Sequence, residues 1–332
     1  PDMRHGMDLL AETYLNYSPV SIETLIGKKG KTQITMRDAP VSKVAEYAAE
    51  DADITFQLKE KFAPVIVNSF TDQRIRLISQ TNQGIAAALN IGLLNAKADL
   101  IARFDADDIC TPERLMVQYR FLSDHPEYII VGSDAAYIDK DGNHVFTGVL
   151  PAHSNEEIQN LNANTCPLIH SAVLFRKALI MQAGGYNVHA HGFEDILLWS
   201  KVLKYGKAYN LSQNLLQVRL NPESISIDNK WWSKRFREIL TGSIHKGDVT
   251  EPEGKELLNI LKEQDTPRIK EGSYYSLLGK KYLWDNHQPQ KARVNLKKAI
   301  RINPGRLDSY AMMALSFFPK EITYFRSRPK TE

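Results

Sequence analysis

The chain has 332 residues, 43% hydrophobic and 24% charged, with a formal net charge of +3. That length calls for two or three domains, each burying a core of its own, and so small a charge argues against nucleic acid or anionic membrane as an electrostatic partner. Two cysteines, Cys110 and Cys166, exclude a disulfide framework or a thiolate metal site and point to a reducing, cytoplasmic setting. No apolar run approaches the roughly 18 residues of a membrane span, and no signal peptide is visible. The opening on Pro1, in text that already reads as structured, suggests a fragment or a processed piece.

In chain order, Met7, Leu10, Ala11, Tyr14 and Leu15 carry a helical period. The basic turn GKKGKTQ contains Lys28, Lys29 and Lys31, read as solvated. A second helix follows through Val44, Ala45, Ala48, Ala52 and Leu58. Tyr47 and Asp51 lie four apart on one face of it. The text HGMDLLAETYLNYSPVSIETLIGKKGKTQ…VAEYAAEDADITFQL closely resembles the end of the 3′–5′ exonuclease domain of bacterial family A DNA polymerases. The resemblance implies that Asp51 descends from a metal ligand and Tyr47 from the residue that orients the attacking water. Two-metal hydrolysis needs several converging carboxylates. The Asp-x-Glu that would supply them is absent, so the motif is expected to be vestigial and no nucleic acid partner is expected.

Near Ala63–Ile66 the text changes. Arg76 to Ser79 reads as a short strand and Ile85 to Ala96 as a helix, with Asn82 as its cap and Asn90 as a packing residue. The apolar strand Leu100–Phe104 then runs into three carboxylates, Asp105, Asp107 and Asp108. Thr111 and Pro112 follow as N-cap and first residue of a helix through Leu122. In open α/β sheets ligands bind beyond the carboxyl ends of strands. Two aspartates one residue apart can hold one hard cation, Mg²⁺ or Mn²⁺, and leave positions open for diphosphate oxygens.

HPEYIIVGSDAAYIDKDGN reads as a strand, a loop and an Asp-Gly turn, and CPLIHSAVLFRKALIMQAGGYN as a strand and a helix, with His170 packed rather than catalytic. HGFEDILLWSKVLKYGK is an amphipathic helix with Glu194 and Asp195 in its first turn. There acids are favoured by the helix dipole and are also aimed outward from the helix start. QVRLNPESIS carries Arg219, and beyond it the text turns helical and charged.

From about Val67 to Ile227 the sequence resembles a family 2, GT-A, inverting glycosyltransferase, in the blocks QTNQGIAAALNIGLLNAKADLIARFDADDICTPERLMVQYRFL and HGFEDILLWSKVLKYGK. The resemblance implies a mixed α/β GT-A sheet, truncated because the Pro-x-Tyr-Asn-like and Asp-Asp-Gly-Ser-like turns of the family do not occur in this sequence. It implies a nucleotide-sugar donor held by Asp105, Asp107, Asp108 and Arg219, with the cation on Asp107 and Asp105. Asp195, with Glu194, would be the catalytic base that activates a glycan, lipid-linked or other hydroxyl acceptor. YYSLLGKKYLWDNHQPQKARVNLKKAIRINPGRLDSYAMMALSFF resembles a tetratricopeptide helix pair, which cannot stand alone.

The expected organisation is an exonuclease-like fragment over 1–66, a truncated GT-A-like domain over 67–235 and a helical tail over 236–332. The alternatives are a nuclease fragment or a non-functional chimera. Weak or no turnover is expected, and the sugar, the base and the oligomeric state stay open. So does a peripheral contact with the inner face of the membrane, for which Trp231, Trp232 and Phe236 could serve as a foot, although a core contact is the expected role.

Overall fold

In the computed structural model the described residues are 76–161, 166–222, 233–264 and 266–319, with short stretches over 11–21, 23–27, 33–35, 38–45 and residue 57. The chain divides into two compact units, Pro1–Thr81 and Asn82–Glu332. In the first, a π-helical turn spans Ala11–Leu15 and a helical turn Glu23–Ile26. Tyr47, Asp51 and the expected seam at residues 63–68 lie outside the described residues. Arg76–Ser79 forms no strand, contrary to expectation. A strand exists only where a neighbour closes its hydrogen-bond ladder.

The second unit is a mixed six-stranded sheet with helices packed against it. The strands are β1 (Leu100–Ala102), β2 (Ile109–Cys110), β3 (Tyr128–Ile138), β4 (His144–Gly148), β5 (Leu174–Arg176) and β6 (Lys207–Arg219). Their order is β1-β5-β3-β6-β2, with β4 added to β3. Among the described residues only the central β3–β6 pair is parallel. Successive β3 side chains face opposite layers. Ile130 joins a core built from helices α1 (Ile85–Asn95), α3 (Asn155–Gln159), α4 (Lys177–Gln182) and α5 (Glu194–Val202). Val131 joins Leu122 of α2 (Arg114–Asp124) on the other face.

Local chemistry sets the element boundaries. Helix α1 matches its expected span, but its cap is Gly84 at φ +87°, a left-handed angle suited to glycine. Asn82 instead accepts from the Gly84 amide at 3.0 Å and so turns the chain into the cap. Asn90 fixes the helix by two hydrogen bonds to the Tyr186 backbone, at 2.8 and 2.9 Å. Helix α2 begins at Arg114 with Glu113 as its cap, two residues later than the Thr111 cap expected. The Thr111 amide is drawn into the sheet, donating to Leu215 O at 3.2 Å. The strand expected to run to Phe104 stops at Ala102, although the Arg103 amide still donates to Val173 O at 3.0 Å. His170 lies in a short 3₁₀ turn, His170–Ala172, not in a strand.

After β6 come α6 (Lys234–Lys246), α7 (Glu251–Gln264), α8 (Pro267–Trp284), α9 (Pro289–Ile302) and α10 (Leu307–Leu315). Phe236 is fully buried against Phe193 and Leu197, the core role expected for it, and Trp231 and Trp232 lie outside the described residues. Helices α8 and α9 bury Leu278, Tyr282 and Leu296 against Val145 and Phe146 of β4, so the tail and the sheet share a core. No helix among the described residues is long and apolar enough to cross a membrane.

Candidate active site

The acidic turn after β1 is a tight one, closed by the Asp108 amide donating to Asp105 O at 3.2 Å. Its carboxylates differ in environment. Asp107 is exposed, and its carbonyl accepts from Arg219 Nε at 2.8 Å. Asp108 is buried. One of its oxygens accepts from the Arg219 amide at 2.9 Å, and the other has no hydrogen-bond partner among the described residues. Burial raises its pKa, against the downward pull of the Arg219 amide and the nearby Ser171 hydroxyl. Asp105 is ion-paired with Arg103.

The second acidic group stands at the start of α5. Asp195 accepts from the Ile196 amide at 2.8 Å and from the Cys166 thiol at 3.5 Å, and burial raises its pKa. The Glu194 carboxyl is pushed up to about 7, first by burial and then by the neighbouring Asp195 charge, while the Gly192 amide 3.2 Å away holds it down. Helix α5 carries five buried side chains, Ile196 to Trp199 and Val202, which fix its N-terminus relative to the sheet.

Arg103 pairs with the first group, and its charge also acts weakly on the second. It is 8% exposed, pairs with Asp105, and has an Nε without a partner among the described residues. Its charge lowers the pKa values of Glu194, Asp195 and His170, so all three sit within its field. His170 hydrogen-bonds the Tyr186 hydroxyl at 2.7 Å, and burial holds it neutral, well below the usual histidine range. It is packed, as expected. Arg103 has no role in the sequence expectations. The available signal is a charged residue inside an apolar strand that ends in acids, since a buried arginine needs a carboxylate or carbonyls. Arg114 is a second such residue. It is 1% exposed and donates to Arg103 O at 2.8 Å, Val173 O at 3.3 Å and Gln118 Oε1 at 3.1 Å. Arg219 gives its guanidinium to backbone carbonyls, those of Asp107, Asp139 and Lys140, at 2.8, 3.2 and 3.3 Å.

The donor set suits a hard divalent cation. Asp107 offers an exposed carboxylate, and buried Asp108 keeps one oxygen without a partner. The described residues hold no group of three or more potential protein ligands. A cation here would therefore take most of its ligands from phosphate and water, the habit of Mg²⁺ in phosphate-transfer sites.

The Glycosyl transferase family 2 model matches residues 53–183, and the 3'-5' exonuclease model matches residues 1–67, so the two overlap over 53–67. The amylovoran biosynthesis glycosyltransferase AmsE of Erwinia amylovora is 33% identical over 153 residues, 46% of this chain and 56% of the relative. The UDP-Gal:alpha-D-GlcNAc-diphosphoundecaprenol beta-1,3-galactosyltransferase of Escherichia coli is 32% identical over 147 residues, 44% and 52% respectively. The chain thus spans a little over half the length of these relatives. S. aureus TarS 1-349, solved in complex with UDP-GlcNAc, aligns over 81% of each chain at a TM-score of 0.41 and 16% identity. Residues 53–183, which carry the acidic turn and end eleven residues before Glu194, are thus the part of the chain similar in sequence to glycosyl transferase family 2.

Proposed function

We propose that the chain transfers a sugar from a nucleotide-diphosphate donor to an acceptor hydroxyl with inversion. The observation that carries this reading is the acidic turn after β1, where exposed Asp107 and buried Asp108, with an oxygen lacking a partner among the described residues, supply the donor side, and buried Asp195 at the start of α5 supplies the acceptor side. Asp107, with Asp105 and Asp108, would hold Mg²⁺ or Mn²⁺, whose chemistry is to neutralise the leaving diphosphate. Asp195 accepts the proton of the attacking hydroxyl. Burial raises its affinity for that proton, the direction that suits a general base. Glu194 beside it shares the negative charge, and Arg103 keeps the pair from becoming too weak an acid. The E. coli relative's name specifies a diphosphoundecaprenol-linked acceptor. A lipid-linked acceptor, and with it a peripheral membrane contact, is the corresponding expectation here.

The test is Asp195→Asn. Turnover should fall about 10²–10⁴-fold, the usual contribution of a general base, while binding of UDP or GDP with Mn²⁺ stays unchanged. Equal loss of nucleotide binding and turnover would remove Asp195 from the acceptor side. The match of residues 1–67 to the exonuclease model favours a second reading for that part alone, as a vestigial nuclease segment in a chimeric chain. Cleavage of single-stranded DNA that is lost in Asp51→Asn would replace the vestigial reading with an active one.

A further inference from the structure

The hairpin turn between β3 and β4 lies between the acidic turn and the C-terminal helices, with polar contacts to both. Within it, Asp139 Oδ1 accepts from the amides of Asp141 and Asn143 at 3.0 and 2.8 Å, and Gly142 takes the left-handed φ of +86° that closes the turn. On one side stands α8. The Tyr274 hydroxyl accepts from the Lys140 amide at 3.1 Å, and the Tyr282 hydroxyl donates to Asp139 Oδ2 at 3.4 Å. On the other side stands Arg219, whose Nη1 donates to the carbonyls of Asp139 and Lys140 at 3.2 and 3.3 Å. The same arginine holds Asp107 through Nε at 2.8 Å and Asp108 through its amide at 2.9 Å.

An unbroken chain of hydrogen bonds therefore runs from α8 through the hairpin turn and Arg219 to the two carboxylate residues. The apolar contact of α8 and α9 with Val145 and Phe146 would suffice to hold the tail in place. The two tyrosines do something further. Both are buried, at 1% and 3% exposure, and both direct their hydroxyls at polar atoms of the turn. Asp107 has no such restraint of its own, because its side chain faces solvent.

We propose that Tyr274 and Tyr282 are positioning residues for the acidic turn, so that the helical tail sets the place of the Asp107 and Asp108 carboxylates through the hairpin and Arg219. Supporting groups that fix ligand-bearing residues are a general requirement of precise sites. The inference rests on the reading of that turn as the donor-diphosphate site, and the tail becomes a working part of it rather than an appendage.

The experiment compares the full chain with Tyr274→Phe, Tyr282→Phe and the double variant. Arg293→Met serves as the control, because Arg293 ties α9 to Ser316 O at 2.9 Å and is not one of the hairpin turn's partners. Hydrogen exchange is read over residues 105–110 and 217–220, together with the Kd for UDP and for GDP, each with Mn²⁺. Exchange at the Asp108 and Arg219 amides should rise in the tyrosine variants by about fivefold per hydroxyl removed, the equivalent of one net hydrogen bond. Kd for the nucleotide that binds should weaken by a similar factor, with kcat at saturating donor unchanged. The control should lower the melting temperature without either effect. Unchanged exchange in the double variant overturns the inference, and so does equal acceleration in Arg293→Met. Faster exchange in a protein whose wild type binds neither nucleotide supports the mechanical link and overturns the donor reading.

Discussion

Glu194 shows how much one neighbourhood can shift a side chain. Burial and the Asp195 charge raise its carboxyl to about 7, while a free glutamate ionises near 4.5. The folded protein therefore holds this proton more tightly than the unfolded chain, so the group's contribution to stability is complete below pH 4.5 and is lost as pH rises through 7. His170 works in the opposite direction. Its depressed pKa means that stability is lost as pH falls below the unfolded value of 6.5. Glu194→Gln removes only the first of these effects. In urea titrations the wild type should lose stability between pH 5 and 8 relative to this variant, and parallel pH profiles for the two would refute the shift. The acids at 105, 107, 108, 194 and 195 are singled out in the sequence by their spacing together with the family resemblance of the text around them. Arg103 is not, because its importance lies in what surrounds it.

At the scale of elements, α2 and β5 illustrate how a polar core holds a site. Arg114 and Gln118 are both buried on the sheet side of α2. Gln118 donates to Ala172 O and Val131 O at 2.7 and 3.2 Å, and Arg114 to Arg103 O and Val173 O. Val131 lies within β3, Arg103 directly follows β1, and Ala172 and Val173 lead into β5, so the helix holds three neighbouring strands through hydrogen bonds as well as through apolar packing. Arg114→Met keeps the bulk but leaves the Arg103 carbonyl and the Gln118 side-chain oxygen without their donor, while the Val173 carbonyl keeps the Arg103 amide, a loss of about 2–4 kcal/mol. Chemical denaturation measures the loss, and a change below about 0.5 kcal/mol would show that water reaches those oxygens. The sequence shows a helix through Leu122, and only the packed strands show that Arg114 and Gln118 face inward.

At the scale of the molecule, the tail and the sheet within 82–332 form one compact unit. Helices α8 and α9 meet so closely that a Cβ added at Gly279 would lie 2.5 Å from Leu296 Cγ. Alanine in place of a helical glycine ordinarily gains about 0.5–1 kcal/mol, but overpacking a close contact costs about 1–3 kcal/mol, so the clash wins. Gly279→Ala should lower stability. Because the shared core couples tail to sheet, circular dichroism and tryptophan fluorescence should report the same lowered midpoint. Separate transitions would make the tail an independent module.

The sequence by itself located the helices that start near Ile85 and at Glu194, the strand that begins at Leu100 and the two clusters of acids, because periodicity and turn chemistry act over a few residues. It misplaced a strand at Arg76–Ser79 and a cap at Thr111, since both depend on which neighbour closes a ladder. Only the tertiary structure decided that Arg103 is buried and pairs with Asp105 and that Arg219 holds backbone carbonyls. It also decided that two tail tyrosines reach the hairpin beside the acidic turn. Those contacts join residues up to 143 positions apart in the chain, and such partnerships follow from how the layers pack, which no local pattern encodes.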